Sequence, residues 1–304
     1  MRDALARALD DALRLYPDPE ANALRARAAR IYGVPVDHIV AGNGSDELLA
    51  LLVRAIIDPG DRVAFPVPTY SLYETLVAVQ GGKAVQVPFG DDFALPAALA
   101  TACARLTFLC NPNSPSGTLV PVEQVEALAR SVDGVLVIDE AYVDFAREHA
   151  LGLVGRHRNV VVLRTLSKSF SLAGLRVGLA FGHPDLLAGL RTVKDSYNLN
   201  RLSLAAGEAA LDDLDTMTAN VTRIRRTRAT FSAELSRLGF DVLPSEANFV
   251  LARRRGTDLG PLAAALAARD ILVRHFAAKP DALRITIGTD EECAALLDAL
   301  RALG

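Results

Sequence analysis

The sequence predicts an α/β fold, with a large domain on a mostly parallel sheet followed by a smaller α/β domain. Three observations carry this expectation. Short apolar runs at 62–65, 84–87, 106–110, 135–138, 160–163 and 177–181 alternate with helical stretches. Their near-continuous Val, Leu and Ile content suits strands buried on both faces of a sheet. Polar residues gather where the runs end: Asn111 and Asn113 after one, Asp139 after the next, Thr165 to Lys168 after the third. Ligands of open α/β sheets bind outside the carboxyl ends of strands, so these residues should share one crevice.

Taken in order, the chain opens with an amphipathic stretch whose leucines Leu5, Leu9 and Leu13 alternate with Asp3, Asp10 and Asp11. Acidic residues at those positions do not suit a signal peptide. The run Gly42-Asn43-Gly44-Ser45-Asp46-Glu47 precedes a helix expected over 48–57. The strand–helix alternation then occupies about 31–205, the large domain. A long helical stretch at 203–238, with few turn signals beyond Asp212-Asp213, leads into the smaller domain, expected over 206–304. There the pattern reads as strand 248–252, helix 261–269, strands 271–274 and 283–287, and a closing helix. Thr289 with Glu292 three residues on forms a capping box for that last helix.

Bulk properties narrow the function. At 304 residues the chain can bury a sizeable core, and a formal net charge of −3 points away from nucleic acid. Arg223, Arg225, Arg226 and Arg228 lack interleaved aromatics and read as a solvated helix face. Cys103, Cys110 and Cys293 show no Cys-x-x-Cys spacing, and an odd number argues against a disulfide framework. No metal site is expected. No apolar run reaches the ~18–20 residues of a membrane helix, so a cytoplasmic protein without membrane partners is expected.

The chemistry centres on Lys168, in Leu163-Arg164-Thr165-Leu166-Ser167-Lys168-Ser169-Phe170, with Arg176 two helical turns further on. A lysine with hydroxyls before it and an arginine beyond is how a protein holds pyridoxal phosphate (PLP). The amine condenses with the aldehyde, while hydroxyls and guanidinium take the phosphate. An isolated Ser-Lys pair would more often be a surface feature, but the rest of a cofactor site is also legible. Asp139 closes an apolar run and can pair with a protonated pyridine nitrogen; Tyr142, three residues on, is within reach of the ring's phenolic oxygen. Gly44, Ser45 and Asp46 stand where a helix start offers free N–H groups to a phosphate. Tyr70, in Pro66-Val67-Pro68-Thr69-Tyr70, supplies an aromatic to stack on the pyridine face. A nicotinamide-binding fingerprint is disfavoured, because the glycine run lacks a third glycine and an acidic ribose partner.

In joint order these segments resemble the fold-type I PLP-dependent aminotransferases, most closely the histidinol-phosphate aminotransferase family. The resemblance runs from Tyr16-Pro17-Asp18-Pro19 through Gly42 to Glu47, Asp139-Glu140-Ala141-Tyr142 and Ser167-Lys168. It continues through Tyr197-Asn198-Leu199-Asn200 and Ala247-Asn248-Phe249 to Leu283-Arg284-Ile285-Thr286-Ile287-Gly288-Thr289, nearly the whole chain. It implies a seven-stranded-type large sheet, with residues 1–30 packing with the smaller domain. It implies Lys168 as cofactor anchor and proton carrier, and Ser45, Asp46, Thr165, Ser167 and Arg176 around the phosphate. It also implies a homodimer with shared active sites, Tyr16 reaching the partner's phosphate. A turn residue at a helix end is the plainer reading of Tyr16. Arg284 would bind a substrate carboxylate or phosphate, the plainer reading being an internal salt bridge, and Asn198 would lie near the substrate.

The implied reaction moves an amino group between a small-molecule amino donor and a 2-oxo acid, interconverting L-histidinol phosphate and imidazole-acetol phosphate with glutamate and 2-oxoglutarate. An aromatic or broad-specificity aminotransferase, a phosphothreonine-type decarboxylase and a non-catalytic binding protein stay open on the same scaffold. Two departures from the pattern stand out. Ser114 replaces the usual asparagine in Asn111-Pro112-Asn113-Ser114-Pro115-Ser116-Gly117. The chain also starts inside the family's first helix, without the arm that in similar enzymes closes over substrate.

Overall fold

A computed structural model describes residues 1–303. Seven strands form the large sheet: β1 (Ile39–Asn43), β2 (Arg62–Val67), β3 (Lys83–Pro88), β4 (Leu106–Cys110), β5 (Val135–Asp139), β6 (Val160–Thr165) and β7 (Val177–Gly182). Their order is β1-β7-β6-β5-β4-β2-β3, and only β7 runs against the others. Helices α1 (Arg2–Ala8), α2 (Asn22–Tyr32), α3 (Gly44–Ile56), α4 (Leu72–Val79), α5 (Val122–Ser131), α6 (Pro184–Val193) and α7 (Arg201–Leu211) surround it. Alternation along the strands feeds two cores. Val160 and Val162 join the core on one face, Val161 and Leu163 the core on the other. Each such side chain contributes about 1.5–3 kcal/mol by leaving water, which is why the sheet tolerates so few polar residues before its strand ends.

The smaller sheet is antiparallel, in the order β10-β11-β9-β8, from β8 (Asp241–Val242), β9 (Phe249–Arg253), β10 (Arg274–Phe276) and β11 (Lys279–Thr286). Helices α8 (Leu214–Arg237), α9 (Gly260–Ala267) and α10 (Asp290–Leu303) complete this unit, which has its own core around Phe231, Val250, Leu283 and Leu296. The capping box closes as expected: the Thr289 N–H donates to Glu292 at 2.7 Å, and the Glu292 N–H to the Thr289 hydroxyl at 3.2 Å.

Several expectations are corrected. β1 lies in a stretch read only as a glycine turn, and α3 begins at Gly44 rather than at residue 48. The Asn43 N–H donates to Glu47 Oε2 at 2.6 Å, so the helix closes its first turn on the glycine run itself. The stretch 203–238 is two helices, because Asp213 caps α8 through Thr216 while Asp212 is held by Arg27 and Arg30. The strand expected at 271–274 starts only at Arg274. Asp270 has φ +60° and the Ile271 N–H returns to the Leu266 carbonyl, a helix-ending turn that removes those groups from any ladder.

Residues 1–30 also pack differently from what the resemblance implied. Leu24 and Ala28 of α2 sit in the large-sheet core, and α1 lies along α7. The Arg25 guanidinium donates to the Ile39 carbonyl at 2.9 Å and the Val36 carbonyl at 2.8 Å, tying α2 to β1. Among the described residues no helix is long and apolar enough to cross a membrane, and no cluster of acidic, histidine or cysteine side chains could hold a metal ion.

Candidate active site

Adjacent strands β4, β5 and β6 end at one cleft. Cys110, Asp139 and Thr165 stand at the three ends; Ser114, Tyr142, Ser167 and Lys168 follow in the loops, while α3 contributes Ser45 and Asp46 from across the cleft. Tyr70 and Arg176 complete its wall. The crevice expected from the strand ends is therefore present, with most of the expected residues in it.

The floor is dry. Asp139 is buried, and its carboxylate accepts the Tyr73 hydroxyl at 2.8 Å and the Ala141 N–H at 3.2 Å. Burial pushes its pKa up to about 6, against the pull of those two donors. Burial likewise raises Tyr142 to about 12, so that phenol keeps its proton. Lys168 Nζ lies 5.4 Å from the centre of the Tyr142 ring. Its proton affinity is lowered, first by burial and then by the nearby Arg284 cation. A lysine that releases its proton more easily is suited to attack a carbonyl and to shuttle protons.

The opposite end is built for an anion. The first N–H groups of α3 open there, where a helix offers unpaired donors. Gly44 has φ +77°, and a Cβ on it would come 2.7 Å from Arg176 Nη2. Arg176 pairs with Asp46 at 3.0 Å and lies 3.5 Å from the Ser167 hydroxyl, with both charged side chains 42% exposed. The Thr165 hydroxyl, 2.9 Å from that of Ser167, closes the group. Tyr70, expected to stack on a ligand ring, lines the cleft with its hydroxyl donating to Asp46 at 3.1 Å.

Arg284 reaches the same place from β11 of the small sheet. Its Nη1 donates to the Ser114 hydroxyl at 2.9 Å, and its guanidinium lies 5.1 Å from the Phe249 ring centre. The internal salt bridge is not found: among the described residues no carboxylate lies within ion-pair distance of Arg284. A half-buried, carboxylate-free guanidinium at a cleft is a site for an incoming oxyanion.

Two expected residues are not in the cleft. Asn198 donates to Glu47 at 2.7 Å and to the Ala41 carbonyl at 3.3 Å, fastening the base of α3 rather than facing a substrate. Tyr16 is 80% exposed and stacks on Tyr197 with ring centres 4.4 Å apart, outside its own chain's cleft. Two residues the sequence reading missed do belong to it. Cys110 lines the floor, and Tyr73 lies behind Asp139. The signal for Tyr73 was its place one helical turn after Tyr70.

These residues fit pyridoxal phosphate. An amine, a sealed carboxylate and a phenol surround the floor, while a helix start, an arginine and two hydroxyls occupy the anion end. Comparison with known proteins agrees. The sequence matches the family described as aminotransferase class I and II over residues 1–300. It is 44% identical over 296 residues to histidinol-phosphate aminotransferase 1 of Nostoc sp., covering 96% of this chain and 84% of that protein. It is 47% identical over 303 residues to the histidinol-phosphate aminotransferase of Aromatoleum aromaticum, covering 96% and 85%. The histidinol-phosphate aminotransferase of Sinorhizobium meliloti, solved in complex with pyridoxal 5'-phosphate, superposes with a TM-score of 0.89 at 30% identity, covering 100% of this chain and 87% of that one.

Proposed function

The chain belongs to the class I and II aminotransferases, and within them to the histidinol-phosphate aminotransferases; from that premise we propose that it uses pyridoxal 5'-phosphate to interconvert L-histidinol phosphate and 2-oxoglutarate with imidazole-acetol phosphate and L-glutamate. The observation that carries this reading is the convergence of Lys168, Asp139 and a carboxylate-free Arg284 on one cleft. Bound there, the cofactor supplies an aldehyde for amines and a ring that withdraws electrons from the bond being broken.

The chain's own residues do the rest. Asp139 presents a carboxylate to the protonated ring nitrogen. Tyr142 donates to the phenolic oxygen, and Ser114 stands beside it with its own oxygen accepting from Arg284. Lys168, with its lowered proton affinity, anchors the cofactor and then moves a proton at the substrate carbon. The backbone N–H groups of Ser45 and Asp46 hold the phosphate together with Thr165, Ser167 and Arg176, Gly44 keeping the approach clear of a side chain. Arg284 takes a substrate oxyanion with the N–H groups that Ser114 leaves free.

The same reading includes a homodimer. Leu9, Leu13, Leu15, Tyr16 and Tyr197 are exposed, an apolar surface suited to a second copy, and on this reading Tyr16 would reach the partner's phosphate site. Three unpaired cysteines suit a reducing cytoplasm. A donor screen tests the function. Mixed with the cofactor-loaded protein, histidinol phosphate should bleach the visible absorbance at least about tenfold more efficiently than dephosphorylated histidinol, the worth of one charged oxyanion contact. Preference for phenylalanine or tyrosine would move the protein to the aromatic aminotransferases.

A further inference from the structure

Asp139 faces a difficulty that its position creates. A sealed carboxylate favours its neutral form, yet pairing with a protonated ring nitrogen needs the ionised one. Of the groups around it, Asp46 on α3 opposes ionisation and Lys168 after β6 favours it. Cys110 on β4, Tyr70 before α4 and Tyr142 after β5 all have their proton affinity raised by burial, so they stay neutral. The hydrogen bonds to its oxygens come from the Ala141 backbone and from Tyr73.

Tyr73 is built into that task. It is fully buried, stacked on Phe108 with ring centres 4.6 Å apart and 14° between planes. The rings of Phe65 and Tyr70 meet it edge-on at 6.0 and 5.7 Å. Three aromatic contacts fix where its oxygen lies, donating to Asp139 and beside the Cys110 thiol. Burial also raises its own proton affinity well above the usual value, so it does not surrender that proton to the carboxylate.

We propose that Tyr73 is a positioning residue of this site: its phenol, fixed by three aromatic neighbours, holds one oxygen of Asp139 and leaves the carboxylate's remaining lone pairs for the cleft, so that the site selects a protonated aromatic ring nitrogen. The inference rests on the reading that Asp139 faces the cofactor's ring nitrogen. Tyr73→Phe removes one oxygen and keeps the aromatic packing, which makes it the informative variant.

The test compares two ligands on the cofactor-stripped full chain: pyridoxal phosphate, and its analogue with the ring nitrogen replaced by CH. Affinity is followed across about pH 5–8, on both sides of the value near 6 to which burial raises Asp139. Tyr73→Phe should raise the pH of half-maximal binding by about one unit, so that pyridoxal phosphate affinity falls about fivefold at about pH 6, about twofold at about pH 7 and hardly at all by about pH 8. Affinity for the nitrogen-free analogue should not fall. In an Asp139→Asn background, Tyr73→Phe should have no further effect. Equal weakening of both ligands would make Tyr73 a packing residue and overturn the proposal, as would a binding curve that stays where the native one lies. If Asp139→Asn itself leaves the preference for the nitrogen-bearing ligand intact, the reading of Asp139 fails first and takes the proposal with it.

Discussion

The two ends of the cleft carry charge in opposite ways. At the floor, Asp139 is sealed from solvent, touched by two donors, and raised by burial to about 6. At the anion end, Asp46 and Arg176 form a 3.0 Å pair with 42% of each side chain open to water. Solvent screens the second pair, which is worth little to stability. Asp139 is buried, so each of its contacts alters the proton equilibrium itself. Electronic control therefore belongs at the floor, whereas the outer end needs only to hold an anion.

The largest effect should come from breaking the floor. Asp139→Ala removes one partner of a buried ion pair with the ring nitrogen, a loss of about 3–5 kcal/mol, and should abolish most transamination. Near-native turnover would place the carboxylate elsewhere. Without cofactor the same residue is a liability. Its pKa rises from 3.8 to about 6 on folding, so the native state holds the proton more tightly than the unfolded chain. That stabilisation is complete below the unfolded value and is lost as pH rises through about 6. At neutral pH and above, ionised Asp139 should cost the cofactor-free fold on the order of 2–3 kcal/mol. Asp139→Asn should accordingly melt higher than the native protein at pH 8 without cofactor, and lower than it when both are offered pyridoxal phosphate. A melting curve with the same pH dependence in both proteins would show that Asp139 is not the buried titrating group.

Arg284 should give an intermediate effect. Arg284→Lys keeps the charge but loses the planar fork, so kcat/KM should fall by about tenfold to a hundredfold for glutamate and for histidinol phosphate alike. The visible spectrum of the loaded protein should stay normal, because lysine keeps the positive charge that lowers the proton affinity of Lys168. A spectrum that changes as much as the kinetics would mean that Arg284 holds the cofactor. The smallest effect belongs to the open end. Arg176→Gln should weaken cofactor binding by about tenfold or less, with the loss shrinking as salt is added, as befits a screened charge. A loss as large as that of Asp139→Ala would erase the distinction between the two ends.

The same contrast governs what the sequence could reveal. Strand ends of the large sheet were legible because burial on both faces leaves uninterrupted apolar runs, and polar residues at their ends then stand out. Asp139, Thr165 and Lys168 were found that way. β1 was hidden because Gly42, Asn43 and Gly44 read as a turn, although the backbone continues through them from strand into helix. Tyr73 was hidden because it lies on a helix, where an aromatic reads as core, and only packing aims its hydroxyl at Asp139. Asn198 shows the converse: a family motif marked it for substrate, and in the fold its amide is bonded to Glu47.

The account stands or falls on Lys168. Its amine is the only one among the residues lining the cleft, half-buried and with a lowered proton affinity. Purified protein loaded with pyridoxal phosphate, reduced with borohydride, digested and mapped by mass spectrometry should carry a pyridoxyl group on Lys168, and Lys168→Ala should carry none. A label on Lys83 or Lys194, or no label despite saturating cofactor, would contradict it.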